Sequence, residues 1–383
     1  MLKDKKINSE IGRTTISEAV RTKLWAVSGG RCELCNKLLY SNQHYGIDGN
    51  FGQMAHIHAV GRGGPRHKSG MTTEEKNDIS NLMLLCSDDH HLIDKRPDDF
   101  SDGLLLQRKA QHEERIRLVT EISNEQSCKI VTYFVNTDNT EVFTTESLLR
   151  AATISADLYA SQEPVIQLHQ DTRTSYIPSK EEFTSKSGEL ERQFKRWFDD
   201  IIKKQDIVAL FALAPQPLLF KLGTLFSDQN NVRVFQCHRA GYKWAWKDSS
   251  EAVKYSFIKT KSTDGSPNVA LVMDLSASIT DNRIESAIGG DVTIYHITIP
   301  KPNRSFVDTE DIQNSFVPVF REAMETIKNE NTACNLVKVF MAMPQSLAIR
   351  AGMDYMPKAD LPLILYEQNS INEGFFETIT IGG

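Results

Sequence analysis

The feature that most restricts the fold of this chain is a repeated alternation of apolar strands and helical patterns in its C-terminal half. Strand-like runs at 206–213, 232–237, 268–275, 291–299, 336–343 and 361–366 are interleaved with helical patterns at 217–225, 281–287, 309–329 and 346–353. Two rounds of strand–helix–strand order require an α/β domain with mostly parallel sheets, because parallel neighbours are joined by crossover helices. Ligands of such sheets bind beyond the carboxyl ends of the strands, where the strand order reverses. Strand-like runs at 130–135 and 165–168, then a helical pattern over 180–203, precede the alternation. No G-x-G-x-x-G fingerprint accompanies it, which argues against a nicotinamide or flavin enzyme.

The first third follows another plan. Ile16, Val20, Leu24 and Val27 recur at helical spacing, stop at Gly29-Gly30, and are followed at once by Cys32-x-x-Cys35. A strand is expected over 53–60 and a second over 81–86, with a glycine-rich basic loop, 61–70, between them. A helix opens at His90, and a long charged helix covers 104–122, whose alternating signs indicate a solvated face.

The 383 residues carry a net charge of −6, so the molecule as a whole does not attract nucleic acid. Any DNA contact has to come from a local basic patch, and Arg62, Arg66 and Lys68 in the 61–70 loop are the candidates for phosphate contact. Cys128, Cys237 and Cys334 are scattered in apolar or strand-like surroundings and read as small buried hydrophobes rather than a disulfide framework. No apolar run is long enough to span a membrane, and the polar start Met1-Leu2-Lys3-Asp4 lacks the core of a signal peptide. A cytoplasmic protein without a membrane partner is expected.

Cys32-x-x-Cys35, His56 in Met54-Ala55-His56-Ile57, Asn81 opening Asn81-Leu-Met-Leu-Leu-Cys86, and His90-His91-Leu-Ile-Asp94 stand together in the first third of the chain. In order, spacing and flanking residues this stretch, from about 20 to 118, resembles the HNH endonucleases. That resemblance implies an α+β ββα-metal domain holding a divalent cation, with Mg²⁺ the leading candidate, and hydrolysis of DNA phosphodiesters. It implies that His56 is the general base, that Asn81 orients it or helps hold the metal, and that His90 is a metal ligand. Phosphodiester hydrolysis needs such a base and a cation to stabilise charge on the phosphate. Ala55 departs from the pattern, since many members carry an acid or histidine there. His58, two residues on along the same strand face, is the candidate to compensate. So small a unit has little core, so a separate structural zinc is expected on Cys32, Cys35 and Cys86. Relatives place Cys or His three residues after the third cysteine; Asp89 stands there and is the expected fourth ligand, with His91 the substitute.

A second resemblance lies further on. Ala214-Pro215-Gln216-Pro217 follows a strand and precedes a helix with Gly223, and Ala342-Met343-Pro344-Gln345-Ser346 repeats that placement before Gly352. With Trp244-Ala-Trp246, Ser276-Ala-Ser278, Tyr366 and Gly374-Phe375, this looks like the SAVED domain, two fused Rossmann-like halves that sense cyclic oligonucleotides in antiphage (CBASS) defence. Candidate ligand residues are Pro215, Gln216, Trp246, Ser276, Ser278, Pro344 and Ser346. The helix starts offer N–H groups to phosphate and Trp246 a stacking face, although Pro is also an ordinary first helical residue and Trp most often core.

The combined expectation is an HNH domain over 1–125 and a SAVED-like domain over 126–383, with its core at about 170–383. A cyclic di- or trinucleotide would activate cleavage of double-stranded DNA through a homo-oligomer, a dimer or tetramer. Two other readings stay open: a restriction-type nuclease whose C-terminal domain reads modified DNA, and a non-catalytic DNA-binding regulator.

Overall fold

The computed structural model describes residues 15–42, 44–135, 145–169, 179–200, 202, 205–226, 231–238, 243–369 and 374–382. The chain divides into two compact units, Met1–Ile122 and Ser123–Gly383. No helix among the described residues is long and apolar enough to cross a membrane.

In the first unit, helix α1 (Glu18–Val27) is capped by Ser17, whose Oγ accepts from the Val20 N–H at 3.3 Å. It stops where Gly29 and Gly30 take φ of 61° and 65°, a conformation that costs glycine least. Strands β1 (Gly52–His56) and β2 (Leu82–Cys86) pair antiparallel, with Gly52 opposite Cys86 and His56 opposite Leu82. Helix α2 (Ser87–Lys95) continues directly from β2, and α3 (Asp102–Glu121) closes the unit. Every residue of β2 is buried, in a small core that includes Leu24, Leu39, Ile57 and Ile93. Two expectations need correction. The first strand ends at His56 rather than 60, so His58 lies beyond it. One edge of α3 is covered: Lys109 and His112 are buried, Lys109 pairs with Glu113, and the His112 Nε2 lies 2.9 Å from the Ser28 carbonyl.

In the second unit, β3 (Ser127–Phe134), β4 (Ile207–Leu213) and β5 (Asn231–Phe235) run parallel in that spatial order. Helix α4 (Glu146–Thr153) follows β3, and α5 (Lys180–Asp200) precedes β4; positions 201 and 203 of the expected helix lie outside the described residues. Helix α6 (Gln216–Leu225) joins β4 to β5. The other sheet contains β6 (Ser256–Lys261), β7 (Val269–Asp274), β8 (Thr293–Thr298), β9 (Val337–Ala342), β10 (Leu363–Asn369) and β11 (Gly374–Ile381) in the order β6-β8-β7-β9-β10-β11. Its four inner strands are parallel and its two edge strands antiparallel. Crossovers are α7 (Asp281–Ile288), α8 (Glu310–Glu330) and α9 (Gln345–Asp354).

Two devices join the halves. Helices α6 and α9 cross at Gly223 and Gly352. A Cβ on Gly223 would stand 2.1 Å from the Ile349 carbonyl oxygen, and one on Gly352 would stand 2.0 Å from that of Phe220. Helix α8 covers the outer edge of β5: Gln313 donates to the Val234 carbonyl at 2.9 Å, and Arg233 pairs with Glu310. That contact satisfies an edge that would otherwise offer unpaired backbone groups. One continuous core runs through both halves, from Val131 and Phe211 to Leu271 and Leu365, and a second, smaller cluster that includes Val272, Ile284 and Phe340 belongs to the six-stranded sheet.

Candidate functional site

The turn after α1 brings Cys32 and Cys35 to the junction of β2 and α2. The Cys32 N–H donates to the Lys37 carbonyl at 2.9 Å, closing a tight knuckle. Cys86 is the N-cap of α2, and Asp89 sits in that helix's first turn. The ligand atoms of Cys32, Cys35, Cys86 and Asp89 all lie within 4.8 Å of one another. The Cys35 and Cys86 sulfurs are 3.8 Å apart, about the ~3.8 Å edge of a tetrahedron built on Zn–S bonds near 2.3 Å. Three thiols and a carboxylate, converging from separate segments, suit zinc. Burial raises the Cys32 thiol, as does its hydrogen bond to Asp89. Burial also works against ionisation of Asp89, but hydrogen bonds from the three thiols outweigh it and hold its carboxyl below the usual range. The neighbouring Glu33 is buried, and burial pushes its carboxyl up to about 8 against the pull of Lys109.

His56 ends β1 half-buried, with Nε2 3.2 Å from Asn77 Oδ1. An amide oxygen only accepts, so Nε2 carries the hydrogen and Nδ1 keeps a free lone pair. The expectation that Asn81 orients His56 or holds metal is corrected by where its amide goes. Asn81 is buried; its Oδ1 accepts from the His58 N–H at 2.8 Å, and its Nδ2 donates to the His58 and Lys76 carbonyls at 3.1 and 2.8 Å. Its donors are spent on backbone, so Asn81 clamps the chain just beyond His56, and Asn77 is the residue that meets the imidazole. His58 faces the Arg66 carbonyl at 3.2 Å.

On α2, His90 Nδ1 lies 2.7 Å from Gln53 Oε1, leaving Nε2 3.6 Å from Asp94 Oδ2, one helical turn on. Gln53 and Ala55 share one face of β1 by strand alternation, and Ala55 is buried. The side chains of His90 and Asp94 are 28% and 47% exposed, with Asp94 also 3.7 Å from Arg66; an N,O donor pair of this kind suits a cation that keeps solvent positions. Gln53 and Asn77 are candidate-site residues that sequence reasoning missed, and Asp94 stood in the His90–Asp94 stretch without a role. Asp94 could have been found from its i,i+4 spacing to His90.

In the 61–70 loop, Arg62 and Lys68 are exposed, but the expected phosphate contact by Arg66 is corrected. Its side chain is 7% exposed, donates to the carbonyls of Ile57 and Ile93 at 2.9 and 2.8 Å, and pairs with Asp94. A guanidinium held by two backbone carbonyls and a carboxylate tethers the loop instead of meeting DNA.

In the second unit, the carboxyl ends of strands from both halves meet. Gln216, at the start of α6, donates from Nε2 to the Met343 carbonyl at 3.0 Å and accepts from the Met343 N–H at 3.3 Å. Gln236, just beyond β5, donates to Gln345 Oε1 at 2.6 Å and accepts from the Ser346 hydroxyl at 2.6 Å. The Ser276 N–H donates to the Ala342 carbonyl at 2.6 Å. Glu367, at the end of β10, has its carboxyl pushed up to about 7 by burial, against hydrogen bonds from the Gln368 and Gln216 N–H groups. The geometry thus brings Pro215, Gln216, Ser276 and Pro344 to one crest, with Ser278 exposed on the loop after β7. One expectation is corrected: Ser346 is fully buried with its hydroxyl spent on Gln236. Pro344 is buried at the start of α9, and Trp246 is 7% exposed, packed on Phe235, and borders a cavity of about 540 Å³. Gln236, Gln345 and Glu367 were missed; a polar residue placed just after an apolar strand is the signal that marks them.

One more polar cluster sits on this sheet. His296 on β8 is buried between Asp274, 3.3 Å from Nδ1, and Asp281, 2.9 Å from Nε2. Burial works against its charge, but the bonds to both carboxylates outweigh it and raise its pKa.

Sequence comparison agrees with this two-halved fold. The family model for the SMODS-associated and fused to various effectors sensor domain, SAVED, matches residues 190–381, half of the 383-residue chain. The chain belongs to the SAVED family, and its C-terminal region is a sensor domain of that kind. No curated protein matches the chain. Among solved structures, the Acinetobacter baumannii Cap4 SAVED/CARF-domain containing receptor with the cyclic trinucleotide 2'3'3'-cAAA is 11% identical, with a TM-score of 0.45 over 81% of this chain and 65% of that one. The same receptor with 3'3'3'-cAAA gives 12%, 0.45, 83% and 68%. The Moraxella osloensis Cap4 receptor gives 12%, 0.35, 76% and 60%. The chain thus spans 65% of the length of the first of these receptors, just under two thirds.

Proposed function

We propose that this protein is a metal-dependent DNA endonuclease whose activity is switched on when its SAVED domain binds a cyclic di- or trinucleotide, as part of antiphage defence. The observation that carries the nuclease reading is His56. It is a half-buried imidazole at the open end of a ββα unit, with its tautomer set by Asn77 and its backbone surroundings clamped by Asn81. In this reading His56 Nδ1 takes the proton of the attacking water, and Nε2–H remains on Asn77. His90 and Asp94 would hold the divalent cation, with Mg²⁺ the expected ion; the cation supplies charge stabilisation at the scissile phosphate. Gln53 fixes the His90 ring through Nδ1. Zinc on Cys32, Cys35, Cys86 and Asp89 would hold β2, α2 and the knuckle together. Arg62 and Lys68 would meet the DNA backbone.

The sensor reading rests on membership of the SAVED family. The crest around Gln216, Ser276 and Glu367 is the proposed ligand site, and ligand preference for an oligomeric arrangement would drive activation. Cleavage of plasmid DNA with Mg²⁺, with and without a panel of cyclic di- and trinucleotides, tests both parts, with His56→Ala as control. Cleavage that requires one panel member and disappears in the variant supports the reading. Cleavage indifferent to every nucleotide would remove the sensor role.

A further inference from the structure

We propose that the knuckle and the hairpin beyond it form a second nucleic-acid surface, one that takes an unpaired stretch of DNA by stacking its bases. The proposal rests on the nuclease reading for its biological sense, though not for its test. Four large apolar side chains within a short segment face water: Tyr40 at 55% exposure, Tyr45 at 70%, Ile47 at 57% and Phe51 at 39%. The segment is not loose, since Ser41 pairs with Asp48 and Asn42 with Ile47 in a two-residue hairpin. The Phe51 N–H donates to the Leu39 carbonyl at 2.8 Å. The rings are thus exposed on an ordered scaffold that could have buried them, and a clustered apolar surface of that kind marks an interaction site. Between them lies a cavity of about 270 Å³ whose lining includes Lys37, Asn42, His44, Tyr45 and Phe51.

Charge selects the occupant. Arg31 donates to the Asn36 carbonyl at 3.1 Å, Arg115 donates to Asn36 Oδ1 at 2.7 Å, and Lys37 is next in the chain. Among the described residues none of these cations forms a salt bridge. Asp48 is the sole acidic side chain between 37 and 51. On a chain of net charge −6, three cations outside any salt bridge, near exposed rings and a largely apolar cavity that Lys37 borders, match a strand that offers phosphates and unstacked bases. An apolar protein partner would leave those cations without a role. Paired DNA keeps its bases stacked and offers the rings no π-face, so the occupant is single-stranded.

The test measures binding, not cleavage. Full-length protein carrying His56→Ala, with Mg²⁺ omitted, is titrated with fluorescein-labelled oligothymidylate and, separately, with a blunt duplex, followed by anisotropy. Adding Tyr45→Ala and Phe51→Ala should weaken oligothymidylate binding by roughly tenfold or more and leave the duplex nearly unchanged. Tyr45→Phe, which keeps the ring face, should bind as the parent does. Adding Arg31→Gln and Lys37→Gln should reduce the salt slope for oligothymidylate by about 1.4, two contacts at ~0.7 each. Equal oligothymidylate binding by the parent and the Tyr45/Phe51 variant would overturn the proposal. So would a parent that does not bind it, or a variant whose one change is loss of self-association in sedimentation, which would make a second copy the occupant. Failure of the nuclease reading shows instead in the plasmid assay, which this measurement does not use.

Discussion

The two units reach stability by different routes. The second unit buries one continuous core across two largely parallel sheets, and its polar ties, such as Gln216 to Met343, add alignment to a structure already held by apolar contact. The first has a core of a dozen or so side chains and a two-stranded hairpin, which is too little to fold well alone. In the proposed reading its missing stability comes from a zinc ion held by Cys32, Cys35, Cys86 and Asp89. That reading contrasts a domain that folds by burial with one whose folding would depend on a ligand set, and it can be tested at each level.

The largest effect should come from removing zinc. A strong chelator, or Cys35→Ala with Cys86→Ala, is expected to unfold residues up to Ile122 while the unit beginning at Ser123 keeps its sheets. The loss is on the order of 10 kcal/mol in small zinc domains, and limited proteolysis with mass analysis would locate it. If both units melted together, the contrast would be wrong. Next, His56→Ala should reduce DNA cleavage by roughly a hundredfold to ten-thousandfold without altering nucleotide binding measured by calorimetry. Within the second unit, Gly223→Ala should cost about 3 kcal/mol, because its Cβ would meet the Ile349 carbonyl at 2.1 Å; denaturant unfolding followed by circular dichroism would show it. A smaller effect is expected from Arg62→Gln with Lys68→Gln, namely a salt slope for duplex binding lower by about 1.8, two contacts at ~0.9 each.

The last prediction concerns pH. His296 has a raised pKa in the fold, so the stability it contributes is present in full below the unfolded value and is lost as pH rises through the folded one. The melting temperature of the second unit should therefore fall as pH rises above the unfolded imidazole's value of about 6.5 and through the raised folded one, and His296→Asn should flatten that part of the profile. An unchanged slope in the variant would assign the loss to other groups.

How much of this was legible depended on whether the cause was local. The βαβ alternation was readable because apolar periodicity is a property of contiguous residues, and strands such as Ile207–Leu213 carry it plainly. The pairs Cys32–Cys35 and Cys86–Asp89 were readable because turns and helix starts fix short spacings, whereas their meeting across the 51-residue separation of Cys35 and Cys86 was implied by the family resemblance alone. What failed was the sorting of like residues by burial. Arg62 and Arg66 look alike in the loop, yet Arg66 alone is drawn in by the carbonyls of Ile57 and Ile93. Asn77 and Asn81 lie four residues apart in the sequence, and only the folded chain decides which amide faces His56 and which clamps backbone. Trp246 and Ser346 were drawn into the core by partners more than a hundred residues away or on another element, Gln236 and Phe235.

The crossing at Gly223 and Gly352 has a mechanical consequence. Two helices that touch backbone to backbone have no side-chain layer to shear, and a slide of one turn would drive ordinary side chains into carbonyl groups. Helices α6 and α9 therefore behave as a locked axle that turns as one body. A ligand at the proposed crest would move the segment that begins at Ser276, or tilt the locked pair whole, rather than ratchet one half past the other.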